Sequence, residues 1–178
     1  MAEEVSDEDG QRGMGQSETP VMTDVRTLAL AMPVVFVLHV VEEAPLFVTW
    51  FNSRVTPQIS QGSFLTVNAI AFVITLAVTL SLSASRAPLQ GLVGVAWVSF
   101  LMLANGLFHV VATVAHGRYC PGVITGLFLY LPLSLLFLRG VAREIHVPGL
   151  VVAIVAFAGA VPMVLHGYLI VFRGSRLF

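Results

Sequence analysis

The sequence has almost no charge beyond its first residues and no lysine at all. Only 11% of the 178 residues are charged, whereas 57% are hydrophobic. A soluble globular domain is about one quarter charged, so this composition excludes an ordinary soluble fold and indicates an integral membrane protein. Arginine supplies all nine basic residues, and seven of the ten acidic residues precede position 25. After that position the only carboxylates are those of Glu42, Glu43 and Glu144.

Cysteine is nearly absent too, and the chain has no run of basic residues. The single Cys120 excludes an intrachain disulfide and leaves the redox compartment open. Without basic or aromatic-interleaved stretches, we expect no nucleic-acid partner. The N-terminus has no basic segment followed directly by an apolar one, so we expect no cleavable signal peptide. Residues 1–26 are polar and acidic, and we predict that they form a disordered segment.

What the sequence does contain is long hydrophobic runs. Five of them can cross about 30 Å of hydrocarbon at about 1.5 Å per residue; they are residues 27–49, 63–84, 89–116, 121–138 and 148–172. Backbone polar groups in a bilayer must be satisfied within their own element, which excludes an open sheet. Because the connections are short, neighbouring helices must be antiparallel. We therefore predict an all-α polytopic membrane protein, with a five-helix up-and-down transmembrane bundle formed by residues 27–178. Its orientation stays open, because five arginines flank one side and four the other.

Polar side chains interrupt all five runs at a common depth. Counted from the helix ends, they fall roughly 6–16 Å below the membrane surface opposite the N-terminus; they are His39, Glu43, Asn68, Asn105, His109, Thr125 and His166. Independent solvated residues would not be expected to share one leaflet on every helix. We therefore predict a polar chamber that opens toward that surface.

The stretch HVVEE, residues 39–43, indicates what the chamber holds. Inserting an ionisable side chain at mid-bilayer costs about 2.5–3.5 kcal/mol on insertion scales. The ionisable residues of this stretch therefore indicate a function that offsets the cost. Histidine and glutamate at i and i+4 emerge on one side of a helix and can ligate one ion, as in the motif H-E-x-x-H. A divalent cation would also offset the charge of two adjacent carboxylates. We predict a zinc or iron site whose ligands are His39, Glu43, His109 and His166.

We predict catalytic and substrate-binding roles for the other polar residues near that ion. Glu42 would activate water as the catalytic base. Asn105 would hydrogen-bond the ligands or the reacting group, and Asn68 would contact substrate. In the stretch RYCPGVIT, Pro121 begins a helix and leaves backbone N–H groups free to hold an anionic or carbonyl group. We predict a catalytic role for Tyr119 in this turn and substrate contacts from Arg118 and Thr125.

A simpler interpretation competes with each of these assignments. The first helix can end near residue 41, with residues 44–51 along the membrane interface and both carboxylates in water. His39 can be a hydrogen-bonded core histidine, and Asn105 with His109 can be a polar contact between helices. The turn at residues 119–122 can be a plain tight loop.

Three short blocks together resemble the HXXEE-motif family of bacterial membrane proteins. HVVEE is followed by NGLFH at 105–109 and by RYCPGVIT at 118–125, in the family's order. The resemblance carries over to a set of nine residues: His39, Glu42, Glu43, Asn105, His109, Tyr119, Pro121, Gly122 and Thr125. It does not extend to His166, and the APLF that follows the two glutamates departs from the aromatic and Pro-Gly residues usual there. It implies an enzymatic role without an established reaction, and a bacterial inner membrane as the location.

The sequence as a whole favours a membrane enzyme. We expect metal-assisted hydrolysis of a hydrophobic or lipid-borne substrate, with the lipid bilayer as surroundings. An iron-dependent oxidoreductase with the same ligands is a variant. A proton- or ion-coupled transporter, whose carboxylates titrate rather than ligate, is an alternative from another class, and a structural subunit is a third. The sequence leaves open whether the chain forms a homo-oligomer.

Overall fold

The described part of the chain folds into helices of two kinds, five long and one short. A computed structural model describes residues 24–85 and 87–177. We number the helices α1 to α6 in chain order: Val25–Glu43, Phe47–Asn52, Gln61–Ala84, Pro88–His116, Val123–Glu144 and Gly149–Arg173. All except α2 are long and apolar enough to cross a membrane. The predicted all-helical fold with five spans is confirmed, and the described residues contain no strand.

The predicted disordered segment, residues 1–26, lies outside the described residues except for its last three. In those three the chain is already ordered, because the Asp24 side chain accepts a hydrogen bond from the backbone N–H of Arg26 at 3.3 Å and α1 begins at Val25. Such a cap satisfies one of the free N–H groups at a helix start. The domain boundary therefore stays a prediction for residues 1–23.

The first predicted span is wrong at its C-terminal end. The sequence predicts a helix that continues to residue 49, but α1 ends at Glu43, and the chain turns before the short α2 begins at Phe47. Pro45 explains the break, because proline has no N–H for the helical ladder and its ring clashes with the preceding turn. The alternative prediction that the first helix ends near residue 41 is therefore closer to the structure. Glu43 is nevertheless buried, with only 5% of its surface exposed.

The long helices surround α4, which is the most buried of the five spans, whereas α6 is the least buried. Large apolar side chains of α1, α4 and α5 form the core, among them Met32, Phe36, Met102, Tyr130 and Phe137. Leucine, isoleucine, valine and phenylalanine cover much of the outer surface, as expected where lipid is the solvent.

A second, smaller apolar cluster lies at the end of the bundle where α1 stops. Trp50 and Phe51 of α2 pack there against Phe108 and Ala112 of α4, and against Ile170 of α6. The short helix α2 therefore covers this end of the bundle.

Three of the long helices contain a wider, π-helical stretch. These stretches are Ser99–Ala104 in α4, Gly126–Tyr130 in α5 and Leu169–Arg173 in α6. Such stretches shift the side chains that follow around the helix and often occur at functional sites. The first directly precedes Asn105, and the second directly follows Thr125; both residues lie within hydrogen-bond distance of His39.

Candidate metal centre

Three side chains from two helices converge at the end of α1. His39 and Glu43 lie one turn apart on α1, and His109 comes from α4. Glu43 Oε1 lies 3.7 Å from His39 Nε2 and 3.2 Å from His109 Nε2. One ligand atom from each residue lies within 4.8 Å of the other two, so the group could hold a metal ion. All three residues are buried, with His39 and His109 at 1% and 0% exposure.

The surroundings of this group fit a cation. His109 Nε2 forms no hydrogen bond with any residue that the structure describes, although Glu43 Oε1 is only 3.2 Å away. The two atoms approach each other without the alignment of a hydrogen bond, as two ligands of one ion would. Among the described residues, no arginine forms an ion pair with Glu43. A buried carboxylate whose nearest bases are two neutral histidines is costly, and a divalent ion would supply the missing positive charge.

Glu42 faces a different part of the structure. Its Oε1 accepts hydrogen bonds from Tyr119 Oη at 2.7 Å, Gly122 N at 3.1 Å and Ile124 N at 3.0 Å. Its Oε2 accepts from Thr125 N at 2.8 Å and from Thr125 Oγ1 at 2.5 Å. Glu42 therefore caps the N-terminus of α5, where free N–H groups favour a negative charge.

These contacts argue against the role predicted for Glu42. An ionised carboxylate offers about four lone-pair positions, and here five donors already occupy the two oxygens. No position is left to take a proton from water. The assignment of Glu42 as the catalytic base stays a prediction, but the contacts favour a structural link between α1 and α5.

Thr125 contacts both Glu42 and His39, and so connects the link between α1 and α5 to the three-residue group. Its Oγ1 lies 2.7 Å from His39 Nδ1 as well as 2.5 Å from Glu42. The hydroxyl has one proton, and the charged Glu42 is a closer acceptor than the carbonyl of Gly122 at 3.4 Å. Thr125 must then accept from His39, which places the imidazole proton on Nδ1 and leaves Nε2 unprotonated. This Nε2 atom lies 3.2 Å from the amide nitrogen of Asn105 and 3.7 Å from Glu43 Oε1. Metal-binding histidines usually have their second nitrogen fixed in this way.

The turn before α5 shapes the other side of the group. Gly122 has φ of 97°, and a Cβ atom there would lie 2.7 Å from His109 Cε1 and 2.9 Å from His39 Cε1. Only glycine fits a position that combines this backbone conformation with this proximity. Cys120 Sγ lies 3.4 Å from His109 Nδ1, and burial raises the pKa of the Cys120 thiol, so it is protonated at neutral pH. Burial and the bond to Glu42 raise the pKa of Tyr119 to about 12.

Two aromatic residues beside the group were missed by sequence reasoning. Tyr130 stacks on His39 with ring centroids 4.2 Å apart, and Phe47 of α2 lies 6.0 Å from the His109 ring. Neither stands in a pattern that separates it from the other aromatic residues of an apolar helix. Their places beside the histidines depend on the folded backbone, because Tyr130 ends the π-helical stretch of α5 and Phe47 follows the break at Pro45.

A cavity of about 210 Å³ adjoins the group. His39, Glu43 and Asn105 lie in its wall, and Asn105 Nδ2 is 3.2 Å from His39 Nε2. Aromatic and aliphatic side chains make up most of the remaining wall. The other polar and charged residues of the wall are Ser63, Asn68, His166 and Arg176.

The remaining predicted site residues separate into two sets. Asn68 and His166 line the cavity, as their common depth suggested. His166 is not part of the three-residue group, and its Nδ1 accepts a hydrogen bond from Leu177 N at 3.2 Å. Arg118 and Tyr119 are exposed and, like Thr125, do not line the cavity. Their roles toward a substrate, and that of His166 as a fourth ligand, stay predictions.

Comparison with known proteins agrees with the three sequence blocks. No curated protein and no solved structure matches the chain. A family model described as a protein of unknown function with HXXEE motif matches residues 30–137. The match covers more than half of the chain, including the three-residue group and the turn that holds Glu42. The chain belongs to the HXXEE-motif family, whose function is unknown.

Proposed function

We propose that the protein is a metal-dependent membrane enzyme that acts on a small hydrophobic substrate. His39, Glu43 and His109 would hold one divalent ion, and the substrate would enter the adjoining cavity. The observation that carries this proposal is a buried group of two histidines and one carboxylate, two of whose members, His39 and Glu43, line an apolar cavity. Three protein ligands leave coordination positions open, which is the arrangement of catalytic rather than structural metal sites.

Hydrolysis is the reaction that we propose first. An ion at this site would polarise a substrate carbonyl or phosphoryl oxygen and lower the pKa of a water molecule to about 7. Asn105, in the cavity wall beside His39, would hydrogen-bond the reacting oxygen. The aromatic wall would exclude bulk water and orient the apolar part of the substrate. The chain itself contributes binding and orientation, while Glu42 and Thr125 hold His39 in place.

An iron-dependent oxidation is the second candidate, and one observation favours it. Two histidines and one carboxylate with open positions are also the ligand set of non-haem iron oxygenases. Because the donors around Glu42 occupy both of its oxygens, the described site has no spare carboxylate to act as a base in hydrolysis. The identity of the bound metal distinguishes the two reactions, with zinc supporting hydrolysis and iron supporting oxidation. A bacterial inner membrane as the location belongs to the same proposal.

Elemental analysis of protein purified in mild detergent tests the proposal. Wild type should contain about one equivalent of zinc or iron, and His39→Ala and His109→Ala should lose most of it. His116→Ala is the matched control, because His116 ends the same helix as His109 but lies outside the group. His166→Ala tests the prediction that His166 is a fourth ligand. Loss of metal from this variant would support the prediction, and full metal content would contradict it.

An activity measurement completes the test. Metal-loaded protein should cleave p-nitrophenyl esters with short acyl chains, and Glu43→Gln should abolish both metal and turnover. Wild type that is free of metal and binds none when zinc or iron is added would overturn the proposal in favour of an ion-coupled transporter.

A further inference from the structure

The charges in the cavity wall define what kind of molecule it can hold. Among the described residues that line that wall, Glu43 and Arg176 alone carry formal charges. Without a metal these charges cancel, and a divalent ion at the three-residue group leaves the cavity with an excess of about two positive charges. Such an excess in a low-dielectric site is unfavourable unless the ligand carries negative charge.

We propose that Arg176 binds the anionic group of the substrate, a carboxylate or phosphate, while the apolar part of the molecule occupies the aromatic cavity. This inference rests on the proposed function, because the metal supplies much of the positive charge. It goes beyond that proposal by giving the substrate a chemical class, a small anionic amphiphile.

The backbone places Arg176 at the cavity. After α6 the chain turns back at Gly174, which has φ of 61°, a conformation that glycine adopts readily. The carbonyl of Gly174 accepts a hydrogen bond from Thr56 N at 3.2 Å, and Ser175 N donates to Leu169 O at 3.2 Å. Leu177 N then donates to His166 Nδ1. These bonds hold the residues on both sides of Arg176, so the guanidinium reaches the cavity from a fixed segment.

Arg176 has no acidic partner among the residues that the structure describes. Glu43 faces the two histidines, and Glu42 faces the start of α5. Glu144 accepts hydrogen bonds from Val25 N, at the opposite end of α1 from Glu43. A half-buried guanidinium in a membrane protein is normally paired, and its five donors suit a carboxylate or phosphate in particular.

The size of the cavity limits the rest of the molecule. A cavity of roughly 150 Å³ accommodates benzene, so 210 Å³ accepts about one aromatic ring or a short alkyl chain. A complete two-chain lipid does not fit. Phe36, Phe64, Phe100 and Phe108 provide an apolar wall for such a group. The ligand is therefore either a free short-chain acid or phosphate, or the reactive end of a larger amphiphile.

Binding of three eight-carbon probes tests the inference. Wild type in phosphatidylcholine nanodiscs would be dialysed against octanoate, octyl phosphate or octanol, with empty nanodiscs as the partitioning background. At least one anionic probe should bind about tenfold or more tightly than octanol, as expected for a charge-assisted contact. Arg176→Gln should remove this preference and leave octanol binding unchanged. Arg173→Gln is the matched control, because Arg173 is exposed at the end of α6, three residues before Arg176, and does not line the cavity.

The outcomes separate this inference from the proposed function. If wild type contains metal but shows no preference for the anionic probes, or if Arg176→Gln keeps the preference, the inference is wrong while the metal site stands. If the Arg176-dependent preference is present in protein that neither contains nor binds metal, the anion subsite stands and the metal-dependent enzyme is wrong. Octyl phosphate binding alone would identify a phosphate ligand, and octanoate binding alone a carboxylate.

Discussion

Glu42 and Glu43 are neighbours in the sequence, but their carboxylates serve different parts of the structure. Glu43 Oε1 lies 3.2 Å from His109 Nε2, whereas Glu42 accepts hydrogen bonds from the first residues of α5. Consecutive residues on a helix point about 100° apart, so one carboxylate enters the site while the other faces the adjacent turn. The pair therefore combines a candidate metal ligand with an anchor for the next helix.

This division predicts different effects for two matched substitutions. Glu43→Gln should remove most of the bound metal, because a neutral amide is a poor ligand, while the protein remains folded. Glu42→Gln should keep metal but lower the free energy of unfolding by about 1.5–3 kcal/mol, because charged acceptors make the stronger hydrogen bonds. Metal analysis and thermal unfolding in the same detergent measure both effects. Loss of metal in Glu42→Gln together with full metal content in Glu43→Gln would exchange the two roles.

Much of the site could be predicted because its signals are local. The i, i+4 spacing of His39 and Glu43 and the stripe of Asn105 and His109 follow from helix geometry alone. Five apolar runs of sufficient length likewise predict five spans. The role of Glu42 could not be derived in this way, because its partners follow it by 77 to 83 residues. The break before α2 is predicted only by the competing interpretation, because the hydrophobic run continues past Pro45.

Gly122 should be required for metal binding. A Cβ atom at this position would overlap both imidazole rings, which cannot move without losing their ligand geometry. We expect Gly122→Ala to reduce metal content to a small fraction of the wild-type level. Gly117→Ala is the control, since Gly117 also has positive φ but a Cβ there would meet nothing within 4 Å. Elemental analysis of both variants provides the comparison, and equal metal content in the two would contradict the proposed proximity of Gly122 to the ligands.

Thr125 should act on the metal through His39. Thr125→Val keeps the shape of the side chain but removes the hydroxyl that accepts from His39 Nδ1. Loss of such an orienting partner typically weakens metal binding by about 10–100-fold. Thr125→Ser restores the hydroxyl and should restore affinity, which a purely steric role would not require. Competition with a chelator of known affinity measures the change. The proposed action of Thr125 on the metal through His39 would be refuted if Thr125→Val bound metal as tightly as wild type. It would also be refuted if Thr125→Ser bound metal as weakly as Thr125→Val.

The packing of α6 against α4 should depend on Gly159. A Cβ atom at this position would lie 2.5 Å from the backbone oxygen of Ala96, and a backbone atom cannot move aside as a side chain can. Small residues at such crossings allow membrane helices to approach closely. Gly159→Ala should therefore push α6 outward and destabilise the bundle by about 1–3 kcal/mol, the usual cost of overpacking.

A control on the same helix isolates this effect. A Cβ atom at Gly149 would meet nothing within 4 Å, so Gly149→Ala should leave the melting temperature close to that of wild type. Because α6 supplies Met163 and His166 to the cavity wall, Gly159→Ala should also weaken binding of the octyl probes. The three candidate ligands belong to α1 and α4, so the metal content of Gly159→Ala should remain that of wild type. If Gly159→Ala melts at the same temperature as Gly149→Ala, the close contact between the two helices is not present in the membrane protein.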